Sequence, residues 1–294
     1  MSEVQHTVHR PGPWSSRRGR LLLVTVLAVL VVALALGGLL LARWLRGRAV
    51  GSLTIPEGQR AGQIYAAADK ALKVPAGSTA EAARSARLTL PDDAHGNPEG
   101  YLFPATYPLR SDTTPASLLS YMVRTARGHL ADRGVSSYRT VVIASIVQAE
   151  ADRPADMGKV ARVITNRLDH HMPLQMDSTL NYALGRSTLR TSHADTRIDS
   201  PYNTYRNAGL PPTPIDNPGA DALRAAGAPP TGDWLYFVTV TPGDTRFTAD
   251  YRRHLRNVQE FNRRQRGAGS GDAVSGGVAG GGTANGDAAG GGGA

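Results

Sequence analysis

Tyr138-Arg139-Thr140-Val141-Val142-Ile143-Ala144-Ser145-Ile146-Val147-Gln148-Ala149-Glu150 is the stretch whose reading decides the fold. A nearly unbroken apolar run, Val141 to Val147, ends on Gln148, Ala149 and Glu150. Periodicity alone does not separate a buried strand from a buried helix in so short a run. Counted from Tyr138 and stopped before Pro154, the segment is long enough for a helix, and a helix here predicts a mixed α+β chain. A carboxylate directly behind such a run is unusual, because burying an unpaired charge is costly. Near a helix C-terminus the negative end of the dipole disfavours ionisation further. Both effects raise a carboxyl pKa, which suits a proton donor working near neutral pH. On pattern alone two readings of Glu150 stay open: that buried acid, or a solvated residue at a fraying helix end, paired with Arg153.

Working outward toward the C-terminus, a helix is expected from about Ala155, with Met157, Val160, Val163, Ile164 and Leu168 along one side. Pro173 to Asp177 alternates apolar with polar, which predicts an extended segment with Gln175 and Asp177 pointing the same way. Pro201-Tyr202-Asn203-Thr204-Tyr205 is the richest polar-aromatic cluster. Such a cluster suits a carbohydrate cleft, where sugars take stacking and directional hydrogen bonds, and equally suits a turn whose tyrosines pack on the core. Asn217-Pro218 has the form of a helix start, with a stop near Gly227. Trp234 to Val240 is the clearest strand, Pro242-Gly243-Asp244 marks a turn, and residues 250–265 form a basic closing helix with Tyr251, Leu255, Val258 and Phe261 on one side. Toward the N-terminus, Thr114 caps a helix running to Arg127 with Pro115 in its first turn. Before that, Leu53-Thr54-Ile55 predicts a short strand, Pro56-Glu57-Gly58 a turn, and Ile64, Ala67, Ala68, Ala71 and Leu72 a small amphipathic helix closed by Pro75 and Gly77.

The 294 residues also contain an uncharged apolar run from Leu21 to Leu41, flanked by Arg17, Arg18 and Arg20 and by Arg43, Trp44, Arg46 and Arg48. As a helix it spans about 31 Å, the thickness of a bilayer core, so residues 21–42 are expected to form a single transmembrane anchor. Ala33-Leu34-Ala35 has the form of a signal-peptidase site, but the apolar run continues past it, which favours an anchor. Residues 1–20 read as a disordered cytoplasmic segment, and 267–294 as a disordered Gly/Ala tail with nothing to bury. The chain lacks cysteine, which excludes disulfides and thiolate chemistry. Its formal charge is +9, carried by arginine with only Lys70, Lys73 and Lys159 beside it. That bias reads as genome composition rather than polyanion binding, and no nucleic-acid-binding pattern accompanies it. His170 and His171 are adjacent and face different ways, and no H-E-x-x-H, P-loop or G-x-S-x-G occurs, so neither metal nor cofactor is expected.

The ordered series E-G-Y-L-F-P-A-T-Y (Glu99 to Tyr107), A-S-I-V-x-x-E (Ala144 to Glu150), I-T-N-R-L (Ile164 to Leu168), L-Q-M-D-S-T (Leu174 to Thr179), Y-N-T-Y (Tyr202 to Tyr205), G-L-P-P-x-P-I-x-N-P-G (Gly209 to Gly219) and L-Y-F-V (Leu235 to Val238) resembles the MltG-like, or YceG-like, endolytic murein transglycosylases. The resemblance implies a membrane anchor, a LysM-like α/β region, here shortened to about 51–97, and an α+β catalytic domain over 98–266. It implies cleavage of the MurNAc–GlcNAc β-1,4 bond within glycan strands, leaving 1,6-anhydro-MurNAc ends, with Glu150 as the catalytic acid and base. By family position Gln175, Asp177, Tyr202, Asn203 and Tyr205 are expected in the cleft. The family often carries a second Glu where Gln148 stands, which leaves Glu150 as the one candidate in that motif. The implied setting is the outer face of the cytoplasmic membrane, with peptidoglycan strands as substrate and peptidoglycan synthases as candidate protein partners. Two rival expectations are a hydrolase on the same scaffold, with Asp177 or Asp152 as base, and a non-catalytic wall-binding scaffold for elongation or division.

Overall fold

The computed structural model describes residues 25, 27–38, 49–151, 153–186 and 191–268. The expectations for residues 1–20, for the ends of the apolar run and for the tail beyond Ala268 lie outside these residues, as does Asp152. The chain divides into two compact units, residues 1–51 with 108–112, and residues 52–107 with 113–294. In the first unit residues 27–38 are helical, and Leu27, Val29, Leu30, Val31, Val32, Leu34 and Leu36 are all exposed. Among the described residues no helix is long and apolar enough to cross a membrane.

The second unit is mixed α+β. Strand β1 (Ala49–Thr54) pairs with β2 (Thr106–Arg110). Helix α1 (Ala61–Leu72) follows the predicted turn, buries Ile64 and Ala68, and starts beside Gly58, whose φ of 74° suits a residue without a Cβ. Helix α2 (Ser78–Ser85), which lies outside the expected elements, begins where Asp69 of α1 reaches across. Its carboxylate accepts from the backbone N–H groups of Gly77 (2.7 Å) and Thr79 (2.8 Å) and from the Thr79 hydroxyl (2.6 Å). These bonds supply the cap that Gly77 cannot. Helix α3 (Pro115–Asp132) has the predicted Thr114 cap, whose Oγ1 accepts from the Ser117 N–H, and it buries Leu118, Leu119, Met122 and Val123.

The deciding stretch is helix α4 (Tyr138–Glu150), with every residue from Val141 to Val147 buried. A helix apolar all round needs neighbours on every side. They are helix α5 (Pro154–Asp169), the short helix α6 (Asp177–Ala183) and helix α7 (Ala220–Gly227). Extended chain stops at Met176, one residue before the expected end, and Asp177 opens α6 instead. Gln175 sits in the left-handed region (φ 51°), so the predicted alternation of Gln175 and Asp177 breaks there.

Asn217 is not the cap of α7; Gly219 is. Asn217 is fully buried and joins three segments instead. Its Oδ1 accepts from Leu102 N–H (2.7 Å), and its Nδ2 donates to Gln59 O (2.9 Å) and Glu99 Oε1 (2.8 Å). Gly100, next to Glu99, has a φ of 84°, and a Cβ there would lie 2.6 Å from Pro214. That close approach of two loops explains the glycine. The expected strand is β3 (Tyr236–Thr241), and past the turn signal a strand that was not expected, β4 (Asp244–Thr248), pairs with it as an antiparallel hairpin, with Phe237 opposite Phe247. Helix α8 (Tyr251–Ala268) closes over β3, with Val258 and Phe261 packed on Val238 and Val240. Tyr251, expected on its buried side, is 42% exposed; His254 takes the inward place at 1%.

Candidate active site

Glu150 is the last residue of α4, after which the chain turns extended at Ala151. Its neighbours in α4 and the facing α6 leave it only 3% exposed. The Ser178 backbone N–H, in the first turn of α6, donates to Oε1 at 3.2 Å. Oε2 is buried and has no hydrogen-bond partner among the described residues. Burial pushes the carboxyl up to about 7; hydrogen bonding from Ser178 and the positive charge of Arg167 oppose the rise, and the negative charge of Asp177 adds to it. The reading of Glu150 as a solvated partner of Arg153 falls, because Arg153 bonds Asp156 through Nε (3.1 Å) and Nη2 (2.8 Å).

Around this carboxyl the structure gathers Asp177, Tyr205 and Arg167. Asp177 starts α6, and the Tyr205 hydroxyl donates to its Oδ1 at 2.6 Å. Burial, then the charges of Asp177 and Glu150, raise the Tyr205 pKa, so its hydroxyl stays protonated and remains a donor. Arg167 was not singled out as a site residue. It lies on the apolar side of α5, a turn beyond Val163 and Ile164, and that misplaced cation was the available signal. Only 5% exposed, it donates to the carbonyls of Leu235 (2.7 Å), Leu174 (2.7 Å) and Pro173 (3.3 Å), and stacks over Tyr236. The residue thereby holds the segment leading into α6 against the start of β3, with its positive charge toward Glu150.

The remaining expected residues sit differently. Asn203, fully buried, clamps its own loop: Nδ2 donates to the carbonyls of Thr196 (3.0 Å) and Ile198 (2.8 Å), and Oδ1 accepts from the Tyr205 N–H (3.0 Å). It holds Tyr205 in place. Gln175 contributes its backbone, whose N–H donates to Thr204 O (3.0 Å), while Thr204 Oγ1 accepts from Met176 N–H (3.0 Å). These bonds tie the Y-N-T-Y loop to the start of α6. Tyr202 turns the other way, with its hydroxyl 2.8 Å from Thr213 Oγ1 and its ring 4.9 Å from that of Tyr182.

Tyr182 belongs to a second buried polar centre. Its hydroxyl donates to Glu99 Oε2 (3.2 Å), while Glu99 Oε1 accepts from Ala61 N–H (2.8 Å) and Asn217 Nδ2 (2.8 Å). Burial pushes Glu99 up to about 7 as well, opposed by those hydrogen bonds and by Arg60. Both Glu99 oxygens are engaged in holding α1 to the core, whereas Glu150 keeps one oxygen unengaged. Asp216, also buried and raised by burial, has an unpartnered Oδ1 too, but of the three only Glu150 has Asp177, Tyr205 and Arg167 around it. Gln148 points away from it and accepts from the Gly219 N–H (2.9 Å) at the start of α7.

The chain matches the model of the YceG-like family over residues 38–260. It belongs to the YceG-like family. Among relatives, the endolytic murein transglycosylase of Bacillus subtilis (strain 168) is 39% identical over 171 residues, covering 55% of this chain and 48% of that protein. The protein of the same name from Streptococcus pneumoniae serotype 2 (strain D39) is 38% identical over 175 residues, covering 55% of this chain and 32% of its own. The YceG-like chain thus overlaps about half of the first relative's length and a third of the second's. Its fold is similar to the crystal structure of a yceG-like protein from Listeria monocytogenes, with a TM-score of 0.63, 30% identity, and coverage of 70% of this chain and 75% of that one.

Proposed function

We propose that this YceG-like chain is an endolytic murein transglycosylase that cuts the MurNAc–GlcNAc bond within peptidoglycan strands. The observation that carries the reading is Glu150: buried, raised to about 7, and left with one unengaged oxygen. The names of both relatives support the substrate. An alkoxide leaves poorly, so the glycosidic oxygen must be protonated as its bond to C1 breaks, and a carboxyl still protonated near neutral pH supplies that proton. The C6 hydroxyl of the same sugar then attacks C1 and returns its proton to Glu150. An intramolecular nucleophile gains from proximity, so one carboxyl serves as acid and then as base. Arg167 stabilises the ionised form between the two steps. Asp177 and Tyr205 form the polar wall of the cleft, Gln175 and Asn203 set their position, and Tyr202 borders the same loop. No step in this scheme calls for a metal or cofactor.

The apolar, exposed helix of residues 27–38 supports an anchor formed by residues 21–42, with the catalytic domain at 98–266 on the outer side of the cytoplasmic membrane. Residues 51–97 act as a shortened LysM-like region, and peptidoglycan synthases are the natural protein partners. Digestion of uncrosslinked glycan in heavy-oxygen water tests the chemistry. The expected products are mid-length fragments ending in unlabelled 1,6-anhydro-MurNAc, and Glu150→Gln gives none. Labelled reducing ends from the wild type would replace the reading with a hydrolase; a folded protein without cleavage would replace it with a scaffold.

A further inference from the structure

The Glu150 centre contains a second buried polar atom with no hydrogen-bond partner among the described residues, the hydroxyl oxygen of Ser178. A buried hydroxyl without a partner is costly, and so is an unengaged carboxyl oxygen. Here the two occur on residues already in contact, through the 3.2 Å bond from Ser178 N–H to Glu150 Oε1. That bond uses the backbone and Oε1; the serine hydroxyl lies near enough to the carboxylate to hold its pKa down but lacks the geometry of a hydrogen bond to it, which leaves that hydroxyl and Oε2 together as the unsatisfied pair. Their chemistry is complementary to one kind of group. Oε2 is a donor when protonated and an acceptor when ionised, while a serine hydroxyl can donate and accept. Thr179, the next residue, has its hydroxyl fully used, bonding Met176 O (2.7 Å) and Thr204 Oγ1 (2.9 Å). Ser178 is the hydroxyl of this turn that remains for a ligand.

We propose that Ser178 is a positioning residue for the nucleophile: its hydroxyl donates to the oxygen of the substrate's primary (C6) hydroxyl beside Glu150 Oε2. This rests on the transglycosylase reading. Glu150 gives its proton to the glycosidic oxygen as the C1–O bond breaks. The C6 oxygen, with one lone pair held by Ser178, uses the other to form the new C6–O–C1 bond. Its proton passes to Oε2, which restores the acid, and no water is consumed. Without the serine hydroxyl the C6 group loses its preferred orientation, and solvent water competes better for C1.

The test compares full-length wild type, Ser178→Ala and Ser178→Thr on long uncrosslinked glycan in heavy-oxygen water. Alanine keeps the backbone N–H that anchors Oε1 and removes only the hydroxyl. The expected result is a kcat lowered roughly ten- to a hundredfold with KM within about twofold, the scale of one unmade buried hydrogen bond. The fraction of labelled reducing ends rises, and threonine restores both the rate and the product ratio. An unchanged rate and ratio in Ser178→Ala would overturn the assignment. So would a slower enzyme with the wild-type product ratio, since that is the mark of a structural role. If Ser178→Ala does not fold, Ser178→Cys, a weak donor of similar volume, carries the same expectations. Wild-type digestion giving only labelled reducing ends would instead remove the transglycosylase reading, and this assignment with it.

Discussion

Glu150 binds its proton more tightly in the folded chain than in the unfolded one, about 7 against an ordinary value of 4.5, and two consequences follow at the scale of this residue. The first concerns stability. Because the folded-state pKa is raised, the contribution of Glu150 is most favourable below its unfolded value and is lost as pH rises through the window from about 4.5 to 7. The loss is about 3 kcal/mol at most. Glu99 titrates over the same window, so the difference between wild type and Glu150→Gln isolates the residue. Denaturant unfolding of both proteins at pH 4 and pH 8 should show the variant gaining on the wild type by up to about that amount. A difference independent of pH would mean that Glu150 is solvated. The second consequence concerns rate. In the proposed mechanism the acid step needs the protonated form, so kcat/KM should fall about tenfold per pH unit above 7. Arg167 opposes the raised pKa, so its loss should move that alkaline limb to higher pH.

At the scale of elements, the join between α1 and the core combines the buried Ile64 and Ala68 with a few buried polar side chains. Asn217 holds Gln59, Glu99 and Leu102 at once. Replacing it with alanine leaves the Leu102 N–H and one bond of Glu99 unsatisfied, each at a cost of roughly 1–3 kcal/mol. Asn217→Ala should therefore destabilise the chain by about 3 kcal/mol or more in chemical denaturation. Hydrogen exchange should accelerate at Leu102 and along α1 before it does so in α4. Exchange that rose equally in both helices would show that the N-terminal segment and the core unfold as one unit. The contrast with α4 is physical. Its seven-residue apolar run is enclosed by α5, α6 and α7, and no single hydrogen bond decides its place.

For the whole molecule, the expected arrangement is a domain tethered outside the cell by residues 21–42. Protease added to protoplasts should release a soluble fragment that carries Glu150 and retains activity; full protection of that fragment would reverse the topology. Removing residues 269–294 should change neither melting temperature nor rate, because a Gly/Ala/Ser segment has little apolar surface to bury. A drop of several degrees on truncation would show that the tail docks on the domain.

The sequence by itself determined the elements whose information is local. An apolar run bounded by Tyr138 and Pro154 makes α4 and sets Glu150 at its end; Thr114 and Pro115 start α3; Pro242-Gly243 turns β3 into β4. Each follows from spacing, capping or turn chemistry within a few residues. The resemblance carried by seven ordered motifs led to the family, though not to what each motif residue does. That was decided by tertiary packing, because hydrogen-bond partners are set by which surfaces meet and not by periodicity along the chain. Asn217 had the sequence form of a helix cap, yet its partners Gln59, Glu99 and Leu102 lie more than a hundred residues away. Tyr202 and Tyr205, three residues apart in one motif, face different polar centres, since the loop between them turns on Asn203. Ser178 and Arg167 gave little signal. Each matters because α4, α5 and α6 converge on one buried carboxyl, and only their packing brings a hydroxyl and a guanidinium to it.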